Sequence, residues 1–332
     1  MKKNSSLFIY FLSHFLFLGG GFARICELSN TDTYISFILG TLLGIIIVYI
    51  ISKLTIEEPL KEYLKKHFIL KLFYILYIFF NLLILFVILS NFLSSYFLPF
   101  TPSLMACLPF ILLALYLSTK KTKEIYNVAF ILLFISLFII TLKTLLLTNE
   151  FHFENLLPIL SHKTSKIFIS ALIYAVISTS PILILIDENT TFKENIKYYL
   201  LACLANIVVV FTITLILGEM INVYSYPEYT ILRRIRFFKF IENIENFICI
   251  NWFFDLFISL SIFITKLKDT LNTKNNILTF ILTFGILYIV NRYFANNFYN
   301  TMILYNAFPY ICGGFLATIL TLLIINKIIK PQ

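Results

Sequence analysis

Apolar stretches about twenty residues long follow one another along almost the whole chain, and two of them are broken in the middle. The first broken stretch runs from Ser5 to Cys26 and is interrupted by Gly19, Gly20 and Gly21. The second runs from Lys166 to Ile186 and is interrupted by Ser178, Thr179, Ser180 and Pro181. A helix that crosses a bilayer needs about 20 predominantly apolar residues. A break at bilayer depth leaves N–H and C=O groups that lipid cannot satisfy, so it persists only where protein buries it or where it lines a cavity. Breaks at matching positions of two halves are the sequence sign of a solute site near the midplane.

The pattern divides into ten spans, near 5–27, 33–54, 68–97, 104–118, 125–147, 166–187, 198–219, 246–266, 275–295 and 306–327. Only 13% of the residues are charged, against about 25% in soluble domains, which excludes a soluble globular class. The third span is long, which implies tilt. The fourth is short, bounded by Pro102 and carrying Pro109. Ten spans divide into five plus five, and an odd number per half forces the halves into opposite orientations. The expected fold is therefore all-α and integral to the membrane: ten transmembrane helices as two inverted five-helix repeats, with helices 1 and 6 broken. It forms one polytopic domain over 1–332, with the first repeat in 1–150 and the second in 151–332. The halves show no obvious residue-level repeat. Met1 to Arg24 has the basic start and apolar run of a signal peptide. The nine spans that follow favour a segment that inserts and stays.

Most of the 26 Lys and Arg residues fall on one side of this arrangement, among them Lys2, Lys3, Lys61, Lys65, Lys66, Lys120, Lys121, Lys123 and Lys327. The positive-inside rule then places both termini in the cytoplasm. The net charge of +9 is this bias and needs no nucleic acid partner. Richness in Phe, Tyr, Ile, Asn and Lys fits an AT-rich bacterial genome, hence a bacterial cell membrane. The five cysteines lack the spacing of a disulfide framework or zinc site and read as small packing residues.

No enzyme constellation is present: no GxSxG, no HExxH, no phosphate loop and no paired acidic motif. We expect no catalytic residue, metal or cofactor. Three successive glycines expose bare backbone, and the N–H groups at the helix start near Phe22 suit a carboxylate; close helix packing is the plainer reading. Pro181 removes a donor, and the hydroxyls of Ser178, Thr179 and Ser180 can bond freed carbonyls or a ligand; a proline kink is the alternative. Asp255 is the sharpest single residue, mid-span with Asn251 one turn before it. An ionisable group at that depth faces a cavity or a partner. We read it as a proton carrier or hydrogen-bond anchor, against a structural pair with Arg or Lys. His14, within the first span, reads more simply as a packing residue than as a relay. Asp187 and Glu219 lie at span ends, where solvation is the simpler reading. The connection from Tyr224 to Asn246 is too charged to span, and Ile231, Ile235, Phe238, Ile241 and Ile244 recur at helical spacing, the pattern of an amphipathic interfacial helix.

Five-plus-five spans with breaks in the first and sixth resemble the amino acid–polyamine–organocation superfamily. Within it, the chain resembles the endospore germination permease family, which supplies the B subunit of germinant receptors. The residues that carry the likeness are the glycine run of span one, the LLPIL segment (Leu156 to Leu160), and the connection Tyr226 to Ser261. The last has Tyr226-Pro227, then Arg234-Ile235, the Phe-Ile-Glu-Asn-Ile-Glu stretch from Phe240 to Glu245, and an aromatic-rich span. The favoured reading is a midplane site for a small zwitterionic ligand, an amino acid by preference, with Gly19, Gly20, Gly21, Phe22, Ser178, Thr179, Ser180, Asn251 and Asp255 as candidate ligand-binding residues taken from the two breaks and the mid-span carboxylate; the resemblance implies that binding is used to sense a germinant. It also implies a place in the spore inner membrane and other germinant-receptor subunits as partners, besides membrane lipids. An ordinary proton-coupled amino acid permease without a sporulation role is the alternative. A membrane enzyme or flippase would need more intramembrane charge than Asp255 supplies.

Overall fold

The structure, a computed structural model, describes residues 5–16, 22–54, 56, 60–188, 190–224, 226–235, 249–271, 276–295 and 297–329. Its elements in chain order are α1 (Phe8–Leu16), α2 (Phe22–Ser29), α3 (Thr33–Lys53), α4 (Leu60–Lys66), α5 (Phe68–Phe92), α6 (Ser103–Ser118), α7 (Thr122–Leu146), α8 (Thr164–Thr179), α9 (Phe192–Leu217), α10 (Pro227–Leu232), α11 (Ile250–Leu271), α12 (Asn276–Tyr293) and α13 (Phe298–Ile329). Among the described residues, eight helices are long and apolar enough to cross a membrane. Two of the ten spans read from sequence fall short of that length. The first is divided between α1, of nine residues, and α2, of eight. The fourth, α6, has 16 residues, about 24 Å at 1.5 Å per residue, against a hydrocarbon core of about 30 Å.

Local sequence sets the ends. Thr191 caps α9 in a reciprocal box with Glu194, which satisfies two donors at the helix start. Gly218 ends it at φ 53°, where a Cβ would meet the Asn155 side chain at 2.9 Å. The second expected break is not unwound. At Ser180 the α-helix tightens into a 3-10 turn, Ser180–Leu185, with Pro181 in its first turn. Tyr77 Oη donates to the Ser180 carbonyl at 2.5 Å and Tyr74 Oη to the Ile184 carbonyl at 3.1 Å. Two tyrosines of α5 thus donate to carbonyls of this turn.

Burial sorts the helices into an inner and an outer set. The Thr164–Leu185 segment is 78% buried and α11 72%, against 28% for α12. The inner elements α1, α8 and α11 carry the polar groups, whereas α7, α12 and α13 turn bare apolar faces outward. α3 packs against α8 and α9, while α1 lies between α9 and α11. Gly40 permits the α3–α8 approach: a Cβ there would sit 2.5 Å from the Ala171 carbonyl oxygen. Backbone cannot swing aside as a side chain can. Gly40→Leu is therefore expected to cost about 1–3 kcal/mol of overpacking, read as a lower midpoint of SDS-induced unfolding.

Asp32 ties the LLPIL segment down. Its carboxylate accepts from the N–H groups of Leu160 at 2.8 Å and His162 at 3.2 Å. These bonds hold Leu160 at φ 59°, a left-handed conformation that costs a non-glycine residue about 1–2 kcal/mol.

Candidate functional site

Asp255 faces the first helix. Its Oδ2 lies 2.8 Å from Nδ1 of His14, and both side chains are buried. The sequence favours a proton carrier or hydrogen-bond anchor at Asp255, with a structural pair to Arg or Lys as the alternative; the partner in the structure is an imidazole 241 positions away. The sequence offers only that both residues lie mid-span in apolar stretches, which does not pair them. His14 is also stacked on Tyr10, ring centroids 5.3 Å apart, and Tyr10 Oη bonds Ser136 Oγ of α7 at 3.0 Å. Lower on the same seam, Ser259 Oγ donates to the Phe11 carbonyl at 3.4 Å. Asn206 of α9 joins from behind, donating to Tyr174 Oη at 3.2 Å and to the Ser13 carbonyl at 3.3 Å.

Several polar atoms beside this pair have no hydrogen-bond partner among the described residues: His14 Nε2, Asp255 Oδ1, and both Oδ1 and Nδ2 of Asn251. Asn251 is 1% exposed and Asp255 0%. Four residues apart on one helix, they share a stripe. An unsatisfied buried polar group costs about 1–3 kcal/mol, and three such atoms lie on this stripe among the described residues.

The adjoining flank of α11 borders a cavity of about 30 Å³, lined by Phe22, Phe92, Tyr226, Glu228, Trp252 and Phe253 among others. That volume holds about two waters. Aromatic contacts shape it: the Phe92 ring is 4.7 Å from Trp252 and 5.4 Å from Tyr226. α10 covers it. Glu228 is 2% exposed; its Oε1 pairs with Lys143 Nζ of α7, and its Oε2 accepts from Trp252 Nε1 at 3.0 Å. The first part of the Tyr224–Asn246 connection is thus inside the bundle, with Ile231 and Ile235 buried. Phe238, Ile241 and Ile244 lie outside the described residues.

A second ionic group lies at the other end of α11. Lys266 Nζ is 2.5 Å from Asp187 Oδ1 and 3.0 Å from Glu188 Oε1, and Ser5 Oγ donates to Glu188 Oε2 at 2.7 Å. Burial pushes Asp187 up despite Lys266. At Glu188 burial also raises, but the Lys266 charge with the bonds from Ser5 and Lys266 outweighs it and holds the carboxyl below its ordinary range. Asp187 is therefore not simply solvated at a span end, whereas Glu219 is exposed.

The remaining expected site residues fall as follows. Gly19, Gly20 and Gly21 lie outside the described residues. Phe22 lines the cavity at the start of α2. Ser178 Oγ donates to the Ala175 carbonyl at 3.2 Å and meets Tyr199 Oη at 3.1 Å, and Thr179 Oγ1 donates to the Ala175 carbonyl at 2.7 Å. Those two hydroxyls are used within the fold. Among the described residues no three of His, Cys, Asp and Glu gather as a metal-holding group.

The family model described as spore germination protein, a spore permease, matches residues 5–299. The chain belongs to the spore germination protein family. The match runs from the start of the broken first span into α13, so it takes in His14, the cavity and α11 together. A comparison with curated proteins returns no match. Family and architecture agree on a multi-pass, all-helical membrane protein of spore germination.

Proposed function

We propose that this spore germination family protein binds a small zwitterion, an amino acid by preference, near the middle of the membrane and acts as the germinant-sensing subunit of a receptor. The observation that carries the reading is the stripe of unpartnered buried groups, Asn251 and Asp255, beside an aromatic cavity in a chain of this family. We assign the ligand carboxylate to Gly19, Gly20, Gly21 and Phe22 on the sequence argument that a glycine run leading into a helix suits an anion. Ser178, Thr179 and Ser180 form the opposing turn. The family match supports a transporter-like architecture, and we read it as ten spans in two inverted repeats, both termini cytoplasmic, in the spore inner membrane and without catalysis. The cavity is too small for an amino acid as it stands, so binding requires α10 to move. Ligand then biases the equilibrium between closed and open forms only through its different affinity for the two. The Lys266 cluster closes the cytoplasmic end in this orientation and Glu228 the outer end. Other receptor subunits would take the signal from there.

An ordinary proton-coupled permease is the second reading, favoured by the ionisable pair at the centre. Uptake of a labelled amino acid panel into proteoliposomes under an imposed pH gradient, with binding recorded alongside, separates the two. Saturable binding without flux supports sensing, gradient-driven accumulation supports the permease, and absence of both removes the amino acid reading. Asp255→Asn is expected to abolish the response to ligand; full retention would remove Asp255 from the site.

A further inference from the structure

We infer that His14 and Asp255 hold one exchangeable proton, and that an ammonium group seated against Asp255 and Asn251 displaces it. This deepens the proposed site and rests on it for the identity of the natural ligand, though not for the exchange itself. The argument begins with charge. A carboxylate alone in a buried site is costly, and so is an imidazolium alone. The 2.8 Å pair is neutral with one shared proton, whichever ring nitrogen or oxygen holds it, and becomes a bare anion when that proton leaves. A second cation can compensate that anion in the proton's place.

Asp255 Oδ1 and Asn251 Oδ1 are two acceptors without a donor among the described residues, four positions apart on one helix. An ammonium has donors for both and no acceptor. The hydroxyls of Ser178 and Thr179 already donate to a helix carbonyl, so the stronger site for the ammonium is on α11. The other charged or titratable groups around the pair are Tyr10 of α1, Lys143 of α7 and Glu228 of α10. Lys143 and Glu228 neutralise one another, which leaves the His14–Asp255 pair as the site where charge changes. The exchange balances simply: the ammonium enters with its charge, the proton leaves to water, and no covalent bond of the ligand changes.

The test uses full-length protein in nanodiscs with 15N-labelled histidine, His14 being assigned by His14→Gln. The ring nitrogens of His14 should show one protonation step, and Asp255→Asn should move it. Methylammonium, which carries the ammonium alone, should release the proton at a pH where the free pair keeps it. Tetramethylammonium at equal concentration, with no N–H to donate, should not. Apparent methylammonium affinity should rise towards tenfold per pH unit while the pair is protonated, the slope for one proton exchanged. Asn251→Leu should weaken that affinity about tenfold and leave the His14 step in place. A His14 signal that does not titrate, ignores Asp255→Asn, or responds equally to both amines overturns the inference. Methylammonium exchange in a protein that binds no amino acid would uphold the inference and remove the amino acid reading.

Discussion

Lys266→Met is expected to destabilise the protein by about 3 kcal/mol, the lower end of the cost of leaving buried charge without its partner, because the carboxylates it leaves keep some contact with solvent. Lys266 is 5% exposed and serves two carboxylates, Asp187 and Glu188. Its loss leaves Glu188 with the Ser5 hydroxyl as its side-chain donor among the described contacts. The pH dependence separates this account from a packing defect. In the wild type Glu188 titrates below its ordinary range, so its contribution is present at neutral pH and is lost as pH falls through that lowered value. Asp187 titrates above its ordinary range, so its contribution declines as pH rises. Without Lys266 both carboxylates remain half-buried with no cation, and the folded state binds protons more readily than the unfolded one. Stability of the variant should then recover on acidification. SDS-unfolding midpoints across pH measure this, and Asp187→Asn with Glu188→Gln should restore much of the loss at neutral pH.

Lys143→Met should cost about 3–5 kcal/mol, with a local consequence at the cavity. It leaves Glu228 of α10 charged and buried with only the Trp252 N–H as a donor among the described contacts. The cheapest relief is for α10 to lift and let water reach the carboxylate. Trp252 is the single tryptophan of the chain, so intrinsic fluorescence reports this place alone. Its emission should shift to the red in Lys143→Met. The double variant Lys143→Met with Glu228→Gln carries no charge and should regain most of the stability. Unchanged emission in the single variant would mean that the ion pair does not hold α10 down.

Much of the fold is legible without tertiary information. Apolar runs near twenty residues place the helices, because their length is set by bilayer thickness and not by any neighbour. Thr191 with Glu194, and Gly218, mark the two ends of α9 for reasons confined to a few adjacent atoms. The four residues Ser178–Pro181 mark a disturbance in the second broken stretch, but not its form. Whether the carbonyls of this turn open to a ligand or accept from Tyr74 and Tyr77 depends on the helix that packs opposite.

The candidate site divides in the same way. Asp255 and Asn251 stand out in sequence because an ionisable side chain in mid-span needs a reason. His14 does not, since a single imidazole in an apolar run has many plain readings. Glu228 sits in a stretch so charged that the sequence alone assigns it to the interface, yet packing draws it, with the rest of α10, into the bundle against Lys143, 85 positions away. Sequence by itself determined that this chain is helical, lies in a membrane and carries a costly carboxylate at depth, since hydropathy and charge act through local solvation. Only the tertiary structure decided which groups that carboxylate meets: contacts between residues 241 positions apart depend on which helix faces pack together, and no local pattern encodes that choice.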